Sequence, residues 1–215
     1  MQLAAAFAGV FALGTVHAVP HAVFAVIHLA AVMEALRAVG PVVFHTEVVV
    51  NIASGLAHQF LAKEFDIEAT LLCFHEVSHQ ENRALVKRLE IDLQLYDEKF
   101  DLEPYIAYAL VDTQNPETPI SDKLEGKTLL SFVDHHRRLG DIQAEFVDIR
   151  EDAASTCAIY AEYLRTQYPT GLNPGETDQV RLATALMHGI RSDTMAMIEA
   201  SRLEFEAAAY LWPCV

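Results

Sequence analysis

Two stretches decide how this chain reads: Tyr105-Ile106-Ala107-Tyr108-Ala109-Leu110-Val111-Asp112 and Thr128-Leu129-Leu130-Ser131-Phe132-Val133-Asp134-His135-His136. Each is a short apolar run, of strand length rather than helix length, bounded by polar residues. An unbroken apolar run, as opposed to an alternating one, implies a strand buried on both faces, which is the habit of parallel sheets. Each run ends on an aspartate. Ligands of such sheets bind beyond the carboxyl ends of the strands, so Asp112 and Asp134 fall where chemistry is expected.

Working outward, the text alternates. Residues 41–44 read as a strand and 51–65 as a helix, with Ile52, Leu56, Phe60 and Leu61 on one side. A strand over 68–74 and a helix over 78–89 follow, and Ser78 with Glu81 has capping-box spacing. After the strand 105–111 comes a loop over 113–127 containing Pro116, Pro119 and Gly126. Strands over 128–133 and 145–149 precede a helix over 153–167, a Pro/Gly loop over 169–175 and a helix over 177–189 that Gly189 is expected to stop. A last helix spans 202–212, cut off by Pro213. The expected fold is α/β, a mostly parallel sheet with helices on both faces. No internal repeat is visible.

Composition narrows the function classes. The 215 residues suit one large domain, or one domain and part of a second. At 52% apolar residues the chain can bury a core and is not a disordered polymer. Thirty acidic residues against 15 basic ones give a net charge of −15, which excludes a general nucleic-acid coat. Phosphate substrates held through cations remain compatible, because cations take carboxylate ligands. Cys73, Cys157 and Cys214 are scattered without a CxxC pair and read as reduced core thiols, pointing to the cytoplasm.

Residues 1–39 form a separate apolar extension ahead of a domain over 40–215; no charge precedes Glu34. Three readings of it are open: a buried or poorly folding extension, a membrane anchor, or a cleaved signal. A signal would carry a positive n-region, which is missing. An anchor would place His17, Pro20, His21 and His28 in lipid. A mis-assigned gene start is a fourth explanation.

Asp134-His135-His136 offers a carboxylate and two imidazoles at a strand tip, a donor set for a hard-to-borderline cation, with a polar surface turn as the plain alternative. Asp112 is either a strand-terminating turn residue or a second ligand. Asp193 follows an apolar helix and is either a cap or a carboxylate delivered to the sheet edge. Ser155 and Thr156 open a helix, where they would cap it or hold a phosphate. His58, His75 and His79 read as surface or half-buried histidines. The chain has no GxxxxGK[ST], GxGxxG, GxSxG or HExxH pattern, so nucleotide-binding loops and serine-hydrolase chemistry have no support.

Several segments together resemble one family: Ser78-His79-Gln80-Glu81-Asn82-Arg83, Ala109 to Gln114, Val133-Asp134-His135-His136, Ala144 to Arg150, and Gly189-Ile190-Arg191-Ser192-Asp193-Thr194. Their types and order over roughly residues 40–212 resemble the DHH phosphoesterases, in particular the oligoribonuclease and pAp phosphatase branch related to RecJ. The resemblance implies two Mn²⁺ ions and two-metal hydrolysis of short oligonucleotides or nucleotide phosphates. It implies that Asp112 bridges the ions and that His135 and Asp193 are ligands. His136 would act in catalysis or on the substrate phosphate, with Asp134 in support. No extended nucleic acid or membrane partner is implied, and a homodimer is left open.

The chain departs from the family pattern twice. The family's first motif is a His followed by Asp-x-Asp, whereas here the text runs Phe44-His45-Thr46-Glu47-Val48-Val49-Val50-Asn51. Valines at 48 and 50 leave the first ion short of ligands. The family's smaller C-terminal substrate domain is also expected to be absent, the text ending at Val215. Three readings therefore stand side by side: an enzyme, impaired or not; a non-catalytic relic or binding module; and a truncated product of an active enzyme.

Overall fold

The structure is a computed structural model that describes residues 42–45, 49–113, 120–141 and 143–215; for 42–45 and 49–51 it describes the backbone. The expectations for residues 1–39, Glu47, Val48, Pro116 and Pro119 lie outside the described residues.

Six strands form one sheet: β1 (Val42–His45), β2 (Ala69–Cys73), β3 (Leu93–Leu95), β4 (Ala107–Val111), β5 (Thr128–Asp134) and β6 (Phe146–Ile149). The spatial order is β3-β2-β1-β4-β5-β6, and every strand pairing among the described residues is parallel. Chain progression reverses between β1 and β4, which makes their carboxyl ends the topological switch point of an open sheet. The helices are α1 (Val49–Lys63), α2 (Gln80–Arg88), α3 (Ser121–Leu124), α4 (Thr156–Gln167), α5 (Thr177–Asp193) and α6 (Arg202–Leu211), with a 3₁₀ turn over Trp212–Cys214.

Side-chain alternation sends neighbouring strand residues to opposite faces. Leu71, Ala107, Ala109 and Val111 join the larger core with α1, α4 and α5, while Leu72 joins a smaller one with Phe74, Leu102, Ile120 and Leu124. Both faces are thus covered, as the unbroken apolar runs require. The central helix is α4, with Tyr160 and Tyr163 fully buried. All three cysteines are buried and none is in a disulfide.

Four local expectations are corrected. Gly189 does not stop α5: the helix continues to Asp193, because Leu186 and Ile190 on either side of the glycine are fully buried and hold that turn in the core. The Ser78–Glu81 spacing forms no capping box. His79 is the N-cap of α2, and the Arg83 guanidinium instead donates to the Val77 and Ser78 carbonyls. The loop before β5 contains the single-turn α3, and β3 was not foreseen because three residues carry no readable period.

His58 is fully buried, not at the surface. Its Nδ1 lies 2.6 Å from the Tyr160 hydroxyl and its Nε2 3.2 Å from Ser131 Oγ, so the neutral ring ties α1 to α4 and to β5. Burial pushes its pKa down to about 3. The folded value lies below the unfolded one, so this contribution to stability is complete above about pH 6.5 and is lost as pH falls towards 3, where only the unfolded chain gains the proton. The stability advantage of wild type over His58→Asn should therefore shrink by about 2 kcal/mol between pH 7 and pH 5. Urea unfolding of both proteins at the two pH values reads this, and a pH-independent gap would show that His58 titrates normally in the fold.

Candidate metal centre

Asp112 follows β4 directly, and its N–H donates to the Val133 carbonyl at 2.8 Å, extending the ladder by one bond. The backbone then turns away with φ +57°, a left-handed conformation that aspartate tolerates better than most residues. The β4–β5 pairing carries a bulge. Tyr108 pairs with Leu129 but Ala109 pairs with Ser131, so Leu130 is the extra residue. The bulge shifts the rest of β5 by one residue and sets Val133 opposite Val111. Asp134 is thereby placed next to Asp112; bulges commonly re-aim side chains beside active sites.

Asp112, Asp134, His135 and His136 each present one donor atom, and these atoms all lie within 4.8 Å of one another. His135 Nε2 stands 3.3 Å from Asp112 Oδ1, and His136 Nδ1 stands 3.8 Å from the same oxygen. Asp134 Oδ1 accepts three bonds, from the His135 N–H (2.7 Å), the His136 N–H (3.1 Å) and His136 Nδ1 (2.7 Å). It folds the His-His turn back over the strand end.

Asp134 Oδ2 is the informative atom. It is buried and has no hydrogen-bond partner. An orphaned buried carboxylate oxygen costs on the order of 1–3 kcal/mol or more, which a cation at this spot would remove. Two carboxylates and two imidazoles suit a divalent metal of the Mn²⁺–Zn²⁺ range. The donor set and the orphaned oxygen fit a metal ion, and this group can hold one.

Asp193 is the last residue of α5 and lies outside the four-residue group. Its charge nevertheless reaches the group. Burial pushes the Asp112 carboxyl up to about 7, with the neighbouring charges of Asp193 and Asp134 adding to the rise and a Thr156 hydrogen bond opposing it. Burial likewise pushes Asp193 up to about 6, against the Ser155 hydrogen bond and the charge of His136. Burial and His136 lower His135, keeping its ring neutral and able to ligate. His136 is raised: burial acts to lower it but is outweighed by the bond to Asp134 and the charges of Asp134, Asp112 and Asp193.

Ser155 and Thr156 use their hydroxyls on two carboxylates. Thr156 Oγ1 donates to Asp112 Oδ1 at 2.7 Å, and Ser155 Oγ donates to Asp193 Oδ2 at 2.5 Å. Ser155 also caps α4 by accepting from the Cys157 N–H. One helix start thus orients both carboxylates. His75 and His79 are exposed and outside the group.

The sequence reading missed Glu204. It is fully buried at the start of α6, where it completes a capping box with Ser201 and accepts the Ala154 N–H at 2.9 Å. Ala154 immediately precedes Ser155 and Thr156, so α6 supports the loop whose hydroxyls hold Asp193 and Asp112. The Ser201-Arg202-Leu203-Glu204 spacing was the available signal.

The sheet order and the switch point define an open, parallel α/β fold with the residue cluster at its strand ends. Two solved structures share it. An exopolyphosphatase-related protein from Bacteroides fragilis superposes with a TM-score of 0.67 at 13% identity, over 87% of this chain and 56% of that one. A proposed family II inorganic pyrophosphatase from Methanococcus jannaschii superposes with a TM-score of 0.57 at 20% identity, over 80% of this chain and 55% of that one. No family model matches the chain. Among curated proteins, the uncharacterized protein MJ1633 of Methanocaldococcus jannaschii is 34% identical over 162 residues, 74% of this chain. The chain spans only 31% of that relative's length. Among the described residues, no helix is long and apolar enough to cross a membrane.

Proposed function

We propose that this chain carries a metal-dependent phosphoesterase site acting on small phosphoesters, with short oligonucleotides or nucleotide phosphates as substrates and Mn²⁺ as the metal. The observation that carries the reading is the cluster of Asp112, Asp134, His135 and His136 at the strand ends, with Asp134 Oδ2 buried and unpartnered. The phosphatase names of the two structural neighbours point the same way.

Asp112, His135 and Asp134 Oδ2 would hold the ion, with Asp193 available on the α5 side. A divalent ion bound here lowers the pKa of its water and polarises a phosphoryl oxygen. The chain's own groups supply orientation. Thr156 and Ser155 fix the two outer carboxylates, and Asp134 fixes His136. The His136 side chain is 61% exposed and lies beside Asp112, so its Nε2 edge can meet a substrate phosphate or hand a proton to a leaving oxygen. Metal content after loading with Mn²⁺, together with turnover of a chromogenic phosphodiester, tests the reading. Loss of both in His135→Ala supports it, and a chain that takes up no Mn²⁺ overturns it.

The non-catalytic reading has one observation in its favour, the valines of the first motif. Strand β1 ends at His45, which pairs with Leu110 two residues before Asp112, and Val49 and Val50 are already helical. Val50 therefore does not prolong a core strand. The first turn of α1 contains no acidic residue, and a carboxylate there is favoured by the helix dipole. The double variant Val48→Asp/Val50→Asp should fold, raise bound Mn²⁺ from one ion towards two, and raise any residual turnover. Unchanged metal content in a folded double variant would mean that these positions do not face the site.

A further inference from the structure

A second feature lies on the same edge of the sheet. A cavity of about 370 Å³ opens between the ends of β2 and β3 and helix α2. Val86, Leu93 and Leu95 give it an apolar wall, and Leu95 is 48% exposed although it sits on a strand. Arg83 and Lys87, one helical turn apart on α2, bring two cations to it, against one carboxylate, Glu76. Among the described residues neither cation has an ion-pair partner; Arg83 donates only to the Val77 and Ser78 carbonyls. In a chain of net charge −15, the cavity thus sets two cations without a carboxylate partner beside an apolar wall.

The position relative to the metal centre follows from register. Leu72 of β2 pairs with His45 of β1, which pairs with Leu110 of β4, so Cys73 at the cavity is level with Val111. Two strand spacings, about 10 Å, separate them. Helix α2 is also tied to α5, which ends in Asp193: His188 Nε2 donates to the buried Asn82 Oδ1 at 3.1 Å.

We propose that this cavity binds a nucleotide unit of the substrate away from the reacting phosphate, its phosphate held by Arg83 and Lys87 and its base laid on Leu93 and Leu95. The assignment of that unit as the non-reacting end rests on the phosphoesterase reading, whereas nucleotide binding itself does not. Charge-assisted bonds to phosphate supply affinity that falls with salt, and the apolar wall accepts a ring.

The test is calorimetry on the full chain in low salt with EDTA, using AMP, adenosine and inorganic phosphate as probes. AMP should bind about tenfold more tightly than adenosine, the size of effect a charge-assisted hydrogen bond gives. It should also bind more tightly than inorganic phosphate. Lys87→Gln, a change at an exposed position, should weaken AMP about tenfold and leave Mn²⁺ uptake intact. Leu95→Ser should weaken AMP but not phosphate. Equal binding of AMP and adenosine, AMP affinity unchanged in Lys87→Gln, or no AMP binding overturns the proposal. Mn²⁺ loading of wild type separates the two ideas. AMP binding by a wild-type chain that takes up no Mn²⁺ sinks the phosphoesterase reading and keeps the cavity, while wild-type Mn²⁺ uptake without AMP binding does the reverse.

Discussion

Gly189→Ala should unfold roughly 5–10 °C below wild type, the consequence of about 2–3 kcal/mol of overpacking in a domain of this size. Elsewhere in a helix the same change would stabilise by up to about 1 kcal/mol, because alanine is the better helix former. Here the surroundings reverse the sign. Gly189 is buried in α5, facing α1 and α4. A Cβ at this position would overlap the Cys157 Sγ and lie 3.3 Å from Cys157 Cβ and 3.5 Å from Ala53 Cβ. Ala53 and Ala57 on α1 are fully buried, small residues that let the two helices approach closely. Cys157 cannot move without consequence, since Ser155 and Thr156 immediately before it hold Asp193 and Asp112. Gly189→Ala should therefore weaken Mn²⁺ binding as well as stability. Removing the sulfur should relieve the overlap, so Gly189→Ala/Cys157→Ala should recover most of both losses. Thermal unfolding of the two single variants and the double variant gives the coupling directly. Additive losses would mean that the Gly189→Ala loss does not come from overlap with the Cys157 sulfur.

How much of this could be read from sequence depends on the scale of the feature. Strands β4 and β5 were legible because Tyr105–Val111 and Thr128–Val133 are apolar without interruption, and only a strand buried on both faces produces that text at that length. The placing of Asp112 and Asp134 at the strand ends followed, since strand direction in a parallel sheet is set by the helical crossovers. What brings the two together was not legible. The bulge at Leu130 has no sequence mark, because leucine suits paired and bulged positions alike, yet it decides the register of Val133 against Val111. Ser155 and Thr156 looked like helix-capping or phosphate-binding residues, and the use of their hydroxyls on two distant carboxylates is a tertiary fact. The same spacing rule failed at Ser78–Glu81 and held at Ser201–Glu204. The difference is packing: Glu204 is fully buried under the loop at Ala154, whereas Ser78 and Glu81 are exposed and the Ser78 carbonyl is taken by Arg83. Gly189 looked like a helix stop because a glycine's tolerance of close approach and its tolerance of unusual dihedrals leave the same letter in the text.

Asp112→Asn should make the metal-free chain more stable at pH 8 while lowering its Mn²⁺ affinity about 100-fold or more, a loss beyond that of removing a supporting group. Burial and the neighbouring carboxylates Asp193 and Asp134 push Asp112 up to about 7. The folded value lies above the unfolded one, so the folded chain holds the proton more tightly. This group's contribution favours folding below about pH 4 to 5 and is lost as pH rises through 7, where a buried carboxylate must ionise among like charges. Asparagine carries no such charge, and its side-chain oxygen can still accept from Thr156 Oγ1 in place of the carboxylate oxygen. In EDTA, wild type and variant should unfold together near pH 5 and separate by a few kcal/mol near pH 8, the variant being the more stable. Adding Mn²⁺ should invert the order. A ligand that binds only the folded state stabilises it in proportion to the logarithm of its saturation, and only wild type retains the charge that attracts the ion. Asp193, pushed up to about 6 by burial, should give a smaller version of the same crossing in Asp193→Asn. Urea unfolding at the two pH values, with and without Mn²⁺, distinguishes this from a purely structural aspartate. A structural role predicts that the asparagine variant is less stable under all four conditions. Crossing of the two curves on metal addition is what a carboxylate held in place for a cation requires.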